Sequence, residues 1–300
     1  MNNISTRFTI KDLENLSGIK AHTIRIWEKR YGILVPSRTD TNIRFYDSKG
    51  LKKLLNVSLL YKSGYKISKI AKLSEDELRT LVKESMAKGN GDAAYFDALV
   101  LSMLTFNQAL FEHTYNRLVA DYSFRHVFVE VLVPLLHNIG IHWQSESITP
   151  ANEHFISNLI QQKLHVNIER VQHIMPDNHD EVYVLYLPEN EIHELGLLYL
   201  HYELMLKGYH SIYLGQSVPM DNLITLQSSF NRITYVSYFT IRPEQGEVES
   251  YLEQFGEKVL VRNEDCFWVT GRNVRHSDIE VESNQLILFN DLNEILNKIV

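Results

Sequence analysis

At about residue 180 the hydrophobic pattern of this chain changes its period. Upstream, apolar residues recur every three to four positions over long stretches with few breakers, as amphipathic helices require. Downstream, short apolar runs alternate with helical stretches. One domain cannot serve both patterns, and 300 residues give room for two or three.

The downstream half reads as a strand Val182–Pro188, a helix Ile192–Lys207, a strand Ser211–Gly215 and a helix Pro219–Phe230. A strand Ile233–Phe239 and a helix around Gln245–Phe255 follow. KVLVR (258–262) and CFWVTG (266–271) are further strand candidates, LILF (286–289) reads as the last strand, and Asp291–Ile299 as a closing helix. Strands alternating with helices predict a parallel sheet covered on both faces, a Rossmann-like (flavodoxin-like) α/β domain over residues 180–300. Such sheets bind ligands at the carboxyl ends of their strands, near the topological switch point.

Charge divides the chain as well. Residues 1–72 hold 10 Lys and 5 Arg against 5 acids, so a head of net +10 precedes a remainder of −17 within the total of −7. A basic head on an acidic body suits a protein that meets nucleic acid at one end; a chance cluster of solvated lysines is the plainer reading.

The head's pattern narrows that choice. In FTIKDLENLSG (8–18), Ile10, Leu13 and Leu16 fall at helical spacing, Thr9 can cap and Gly18 can terminate. After a two-residue turn, AHTIRIWEKRYG (21–32) places Ile24 and Trp27 inward and Thr23, Arg25 and Lys29 outward. That is a helix-turn-helix, whose second helix enters the major groove. In ILVPSRTDTNIRFYD (33–47), Pro36 breaks the helix and Asp40-Thr-Asn42 signals a turn. A small β-hairpin wing follows, with Arg38 and Arg44 able to reach phosphates. Asp47 should cap a helix to about Ser63, and a short helix should follow from Ile67 to about Leu73.

The run TIRIWEKRYGILVPSRTDTNIRFY (23–46) resembles the signature of the MerR family of winged regulators. The resemblance implies a head over 1–75 that binds a two-fold symmetric operator in double-stranded DNA as a dimer. It also implies Thr23, Arg25 and Arg30 at the groove, Arg44 and Tyr46 in the wing, and Trp27 in the core.

Residues 76–91, charged and ending Lys88-Gly-Asn-Gly91, read as a linker, and 92–175 as a four-helix bundle. Oligomerisation or spacing would be reason enough for such a bundle. One feature falls outside its packing period: Trp143, nine residues, then Glu153-His154.

In the sheet domain, the first strand–helix loop reads PENEIHELG (188–196). His193 can project above the sheet as a metal ligand, Glu191 can hold its other ring nitrogen, and Gly196 lets a bulky ligand pass. Alone, E-x-H-x-x-G equally describes a surface histidine in an acidic loop. The loop resembles the Asp/Glu-x-His-x-x-Gly motif of cobalamin-binding domains, in which the His replaces the cofactor's own base beneath cobalt. By that resemblance Ser237 and Phe239 stand in a Ser-x-Leu motif, and Thr270-Gly271 in a Gly-Gly one. Phe239 would narrow the slot for the nucleotide tail, and Thr270 adds bulk where the backbone should approach. Trp143, Glu153 and His154 resemble the helical cap over the upper corrin face in light-responsive, cobalamin-dependent MerR-type regulators.

The expectation is a multidomain transcription regulator and not an enzyme: a repressor whose oligomer, dimer or tetramer, and operator binding follow bound adenosylcobalamin or methylcobalamin. His193 is the expected cobalt ligand. The alternative is a MerR-type regulator whose sensor answers another ligand or a protein partner. The lone Cys266 leaves no internal disulfide and no multi-cysteine metal site. No apolar run suits a membrane helix and residues 1–8 carry no signal-like core, so the expected location is cytoplasmic.

Overall fold

The computed structural model describes residues 7–39, 42–88, 92–143, 149–176, 178–275 and 284–299. The chain divides into two compact units, residues 1–160 and 161–300.

The first unit opens with α1 (Ile10–Ser17) and α2 (Ala21–Tyr31). Thr9 closes a capping box on α1: its hydroxyl accepts the Asp12 N–H, and the Asp12 carboxylate accepts the Thr9 N–H. Gly18, at φ 68°, ends the helix in the left-handed conformation and turns the chain into α2. Ile24 and Trp27 are buried, and the Trp27 ring meets Tyr61 edge-on at 5.0 Å. The wing is a two-stranded antiparallel pair, β1 (Ser37–Arg38) and β2 (Arg44–Phe45). Asp40, expected in its turn, lies outside the described residues; Asn42 takes φ 65° there. Asp47 caps α3 (Ser48–Lys62), and α4 (Ile67–Ile70) follows.

The expected linker is instead helical as far as Lys88, in α5 (Glu75–Lys88). Its charges solvate one face, while Leu78 and Val82, one turn apart, are buried. Residues 89–91 of the expected linker lie outside the described residues. The bundle comprises α6 (Asp92–Thr105), α7 (Gln108–Asp121), a composite third helix and α10 (Pro150–Val171). The composite joins α8 (Phe124–His126), a π-helical turn Val127–Leu132 and α9 (Val133–Trp143). Pro134, which has no N–H to donate, stands just beyond the wide turn. Asn152 of α10 donates to the Met103 carbonyl at 3.1 Å, and Phe155 meets Phe106 edge-on, fixing α10 against the end of α6.

The second unit is built on five strands: β3 (Asn178–Tyr186), β4 (Tyr209–Gly215), β5 (Arg232–Tyr238), β6 (Cys266–Thr270) and β7 (Leu286–Leu288). All pair in parallel in the order β4-β3-β5-β6-β7, the flavodoxin-like arrangement. The helices are α11 (Leu195–Leu206), α12 (Met220–Ile224), α13 (Val248–Lys258), α14 (Arg272–Arg275) and α15 (Leu292–Lys298). Val182–Tyr186 of β3 and Ile233–Ser237 of β5 are buried, and in the core Tyr186, Phe255 and Phe267 stack while Tyr235 meets Phe255 edge-on. The chain reverses direction across the sheet between β3 and β5, so the loops leaving these strands frame the switch point.

KVLVR is not a strand. Val259 and Leu260 bond back to the Phe255 carbonyl and close α13, and Val259 is buried as a helix terminus. Arg262 then folds inward, donating to the carbonyls of Gln227 and Phe230 and to Asp265. The fully buried Asp265 also accepts the Ile233 N–H that opens β5.

Gly271 leaves β6 at φ 124°, and a Cβ there would lie 2.3 Å from the Phe239 carbonyl oxygen. Gly271→Ala should therefore cost about 3 kcal/mol or more of stability, read as the midpoint of chemical denaturation. An unchanged midpoint would mean that the β6 exit yields freely.

Candidate functional site

On α2 the buried stripe of Ile24 and Trp27 leaves His22, Arg25, Ile26, Lys29 and Arg30 exposed on the other side. Thr23 is half-buried, its hydroxyl 3.3 Å from His22 Nε2. Arg30 lies over the Tyr31 ring at 5.4 Å. Ile26, 51% exposed among these cations, was not singled out by sequence reasoning. A β-branched apolar side chain there has the chemistry to meet a thymine methyl group.

The wing residues sit differently from expectation. Arg38 is exposed and donates to Asn42 Oδ1 at 2.6 Å. Arg44 turns onto Glu28 of α2, Nε to Oε1 at 3.2 Å. Tyr46 is 2% exposed, pairs its backbone with Phe8 and donates its hydroxyl to Glu28 at 3.0 Å. Packing accounts for both: Glu28 is the residue that holds wing to helix, and Tyr46 is part of the head's interior.

At the switch point one carboxylate organises two loops. Glu191, 1% exposed, accepts the N–H groups of Ile192 and His193 at Oε1 and those of Thr240, Ile241 and Arg242 at Oε2. His193 Nδ1 stands 2.6 Å from Oε1. Burial alone would raise the Glu191 pKa; hydrogen bonds from His193 and from the N–H groups of Arg242, Ile241 and His193 outweigh it and hold the carboxyl at about 2. A carboxylate on Nδ1 favours the tautomer with hydrogen there, which makes Nε2 the lone-pair nitrogen. The His193 side chain is 38% exposed. Next along the loop, Glu194 accepts Tyr213 Oη–H at 2.6 Å and is bonded by Gln161 Nε2 of α10.

The other expected cofactor contacts divide. Ser237 Oγ is buried and donates to the Tyr186 carbonyl at 2.9 Å, a bond within the sheet rather than one offered to a ligand. Phe239 is core, edge-on to Tyr251 at 5.3 Å. Gly271 serves the crossing of its own backbone over Phe239. The hydroxyls of Thr240 and Thr270 are buried at the carboxyl ends of β5 and β6 without a hydrogen-bond partner. Beside Gly196, an added Cβ would meet Leu292 Cδ1 at 3.1 Å and the Tyr238 ring at 3.4 Å, so that space is already filled.

Glu153 and His154 lie on α10, with His154 Nδ1 2.8 Å from Glu153 Oε2 and the imidazole two-thirds exposed. They belong to the first unit and His193 to the second. Trp143 ends α9, but its side chain, like all of Gln144, lies outside the described residues.

Among the described residues no three His, Cys, Asp or Glu side chains gather into a metal cluster. A single exposed imidazole, oriented by a carboxylate, suits a metal whose remaining positions are filled by a macrocycle, as in a corrinoid. The donor set fits such a cofactor; the filled space beside Gly196 fits one only if Tyr238 or Leu292 moves aside.

Glu191→Ala should strand the backbone donors of both loops, lower stability by about 2–4 kcal/mol and speed hydrogen exchange at Thr240–Arg242. Glu191→Gln should do less, because one oxygen still accepts. Unaltered exchange at those amides in Glu191→Ala would mean the loops hold without the clamp.

Two stretches of the chain match known families, and both lie outside the loops that Glu191 joins. Residues 8–77 match the MerR HTH family regulatory protein profile, and residues 95–166 match a B12 binding domain. The HTH-type transcriptional repressor CarH of Myxococcus xanthus is 29% identical over 223 residues, covering 72% of this chain and 73% of its own. The HTH-type transcriptional repressor CarA of the same organism is 27% identical over 222 residues, covering 70% and 68%. A monomethylamine corrinoid protein from Methanosarcina barkeri shares the fold, with a TM-score of 0.56 at 15% identity over 69% of this chain and 98% of that one. The chain thus joins a stretch that matches MerR HTH regulatory proteins to one that matches a B12 binding domain, and over most of its length it is similar to HTH-type transcriptional repressors.

Proposed function

We propose that this regulator is a repressor governed by a cobalamin held through His193. One observation carries the reading: the buried Glu191 carboxylate fixes both loops of the switch point and presents the His193 ring at their rim. Glu191 sets the tautomer, and Ile192 and Ile241, both at least half exposed on those loops, give the rim an apolar character suited to a flat macrocycle. Bound cobalamin would supply a coordination position at cobalt and, in its adenosyl form, a bond that visible light cleaves. Glu153 and His154, with Trp143, are the proposed contacts on the cofactor's upper side.

The DNA-binding surface of this reading is the exposed face of α2, with Arg25 and Arg30, and Arg38 in the wing. Thr23 stands at the edge of that face. Two heads in a dimer would meet a two-fold symmetric operator, in the cytoplasm where the DNA is. Control requires that the cofactor bind one assembly better than another. The filled space beside Gly196 favours a second reading, in which the sensor takes a different ligand or a protein partner.

The visible absorbance spectrum of the full chain after incubation with adenosylcobalamin and gel filtration separates the two. Retained cobalamin with a spectrum altered in His193→Ala supports the first; no retention supports the second. For the retained complex, size-exclusion chromatography in darkness and after green light should show different elution volumes; identical ones would remove light from the proposal. Arg25→Ala should weaken DNA binding at unchanged fold and lower the salt slope of the affinity by about one.

A further inference from the structure

The first unit contains a buried ionic cluster that neither the DNA-binding face nor the cofactor loop uses. Asp97 of α6 is fully buried. Its carboxylate accepts Lys62 Nζ at 2.8 and 2.9 Å and Ser58 Oγ at 2.9 Å, both from α3. Lys62 Nζ also donates to the Ser17 carbonyl at 2.9 Å, and Ser58 Oγ lies 3.1 Å from the same oxygen. Ser17 is the last residue of α1, so its carbonyl lies at the negative end of that helix. Three helices thus meet on one ammonium group, and a Cβ at Gly18 would stand 3.5 Å from it.

The partners come from two different parts of the chain. Ser17, Ser58 and Lys62 lie within the stretch that matches the MerR head, and Asp97 within the stretch that matches the B12 binding domain. From Ser17 a three-residue turn leads into α2, so whatever fixes the end of α1 fixes the recognition helix.

We infer that Asp97 is a positioning residue for DNA binding, which holds the head in one register on the helical bundle through Lys62, Ser58 and the Ser17 carbonyl. The surrounding interface between α3 and α6 is aliphatic, with Leu55, Leu59, Ala98 and Leu99 fully buried. Aliphatic surfaces tolerate sliding and repacking; a buried charge with directed hydrogen bonds accepts one arrangement.

Burial pushes the Asp97 carboxyl up to about 6, against the opposing pull of Lys62 and Ser58. A carboxyl raised in the fold makes the folded state less stable as pH climbs from about 4 to above 6, so ionising Asp97 carries a cost in stability. A costly buried charge that ties two parts of a chain together is consistent with a role in fixing register. The inference needs only that the head binds DNA, not that cobalamin is the signal.

The test uses the full chain with two replacements, Asp97→Asn and the apolar double variant Lys62→Met with Asp97→Leu. The DNA probe is a double-stranded fragment selected from a random pool by the wild-type protein. Spin labels on Lys11→Cys and His113→Cys, both exposed positions, in a Cys266→Ser background report the distance between head and bundle. The double variant should match or exceed the wild-type thermal midpoint, and Asp97→Asn should lower it, because Lys62 loses its counter-ion. Both, measured well below either midpoint, should bind the fragment about tenfold more weakly and show a broadened distance distribution. For Asp97→Asn the sign discriminates: removing a negative charge should by electrostatics alone tighten DNA binding. Affinity and distance distribution as in the wild type would overturn the inference. So would an affinity loss that merely tracks a fall in thermal midpoint.

Discussion

The sheet unit of this molecule depends on one carboxylate. A parallel sheet with reversed winding creates a crevice where two loops diverge, and such a crevice is normally lined by exposed backbone N–H groups. Here the two loops are tied by Glu191, which takes donors from both and still reaches the imidazole of His193. The price of burying a charge is met because both carboxylate oxygens accept several directed donors, which hold the carboxyl below its ordinary pKa against the opposing effect of burial. An aspartate in this place would have one methylene less with which to span from its own loop to Thr240–Arg242. The longer side chain and the separation of the loops belong together.

Much of this was legible in the sequence, for identifiable reasons. Caps are local, so Thr9, Gly18 and Asp47 marked their helix ends correctly. Parallel strands buried on both faces leave unbroken apolar runs, which marked β3, β5 and β6; the edge strands β4 and β7, only half-buried, were marked by shorter apolar runs. KVLVR failed because a β-branched run at a helix terminus has the composition of a strand; only the tertiary bonds of Arg262 reveal otherwise. The stretch read as a charged linker with two glycines is helical from Glu75 to Lys88, because Leu78 and Val82 fall at helical spacing and are buried.

The site was legible where it is local and not where it is built across the fold. Glu191 and His193 are two residues apart, and their pairing follows from spacing. The three N–H groups that Glu191 takes from the loop after β5 lie some fifty positions away and leave no pattern in either segment. The resemblance to winged regulators places Arg44 and Tyr46 in the wing, and in the structure both engage Glu28. Their engagement by Glu28 could be suspected only from a lone acid on an otherwise cationic helix.

The two buried carboxylates show how similar chemistry can serve opposite ends. Glu191 is held far below its ordinary pKa by a full set of donors, and its loops are stabilised by its charge. Asp97 is held above its ordinary pKa, because one lysine and one serine cannot replace the water it has lost. The first ties the two loops that leave β3 and β5 into one rim. The second ties α3 and the end of α1 to α6 by bonds that accept one arrangement, and it does so at a cost in stability because its set of donors is incomplete. What separates the two cases is the number of directed donors each carboxylate receives: six within the reach of Glu191, against a lysine and a serine for Asp97.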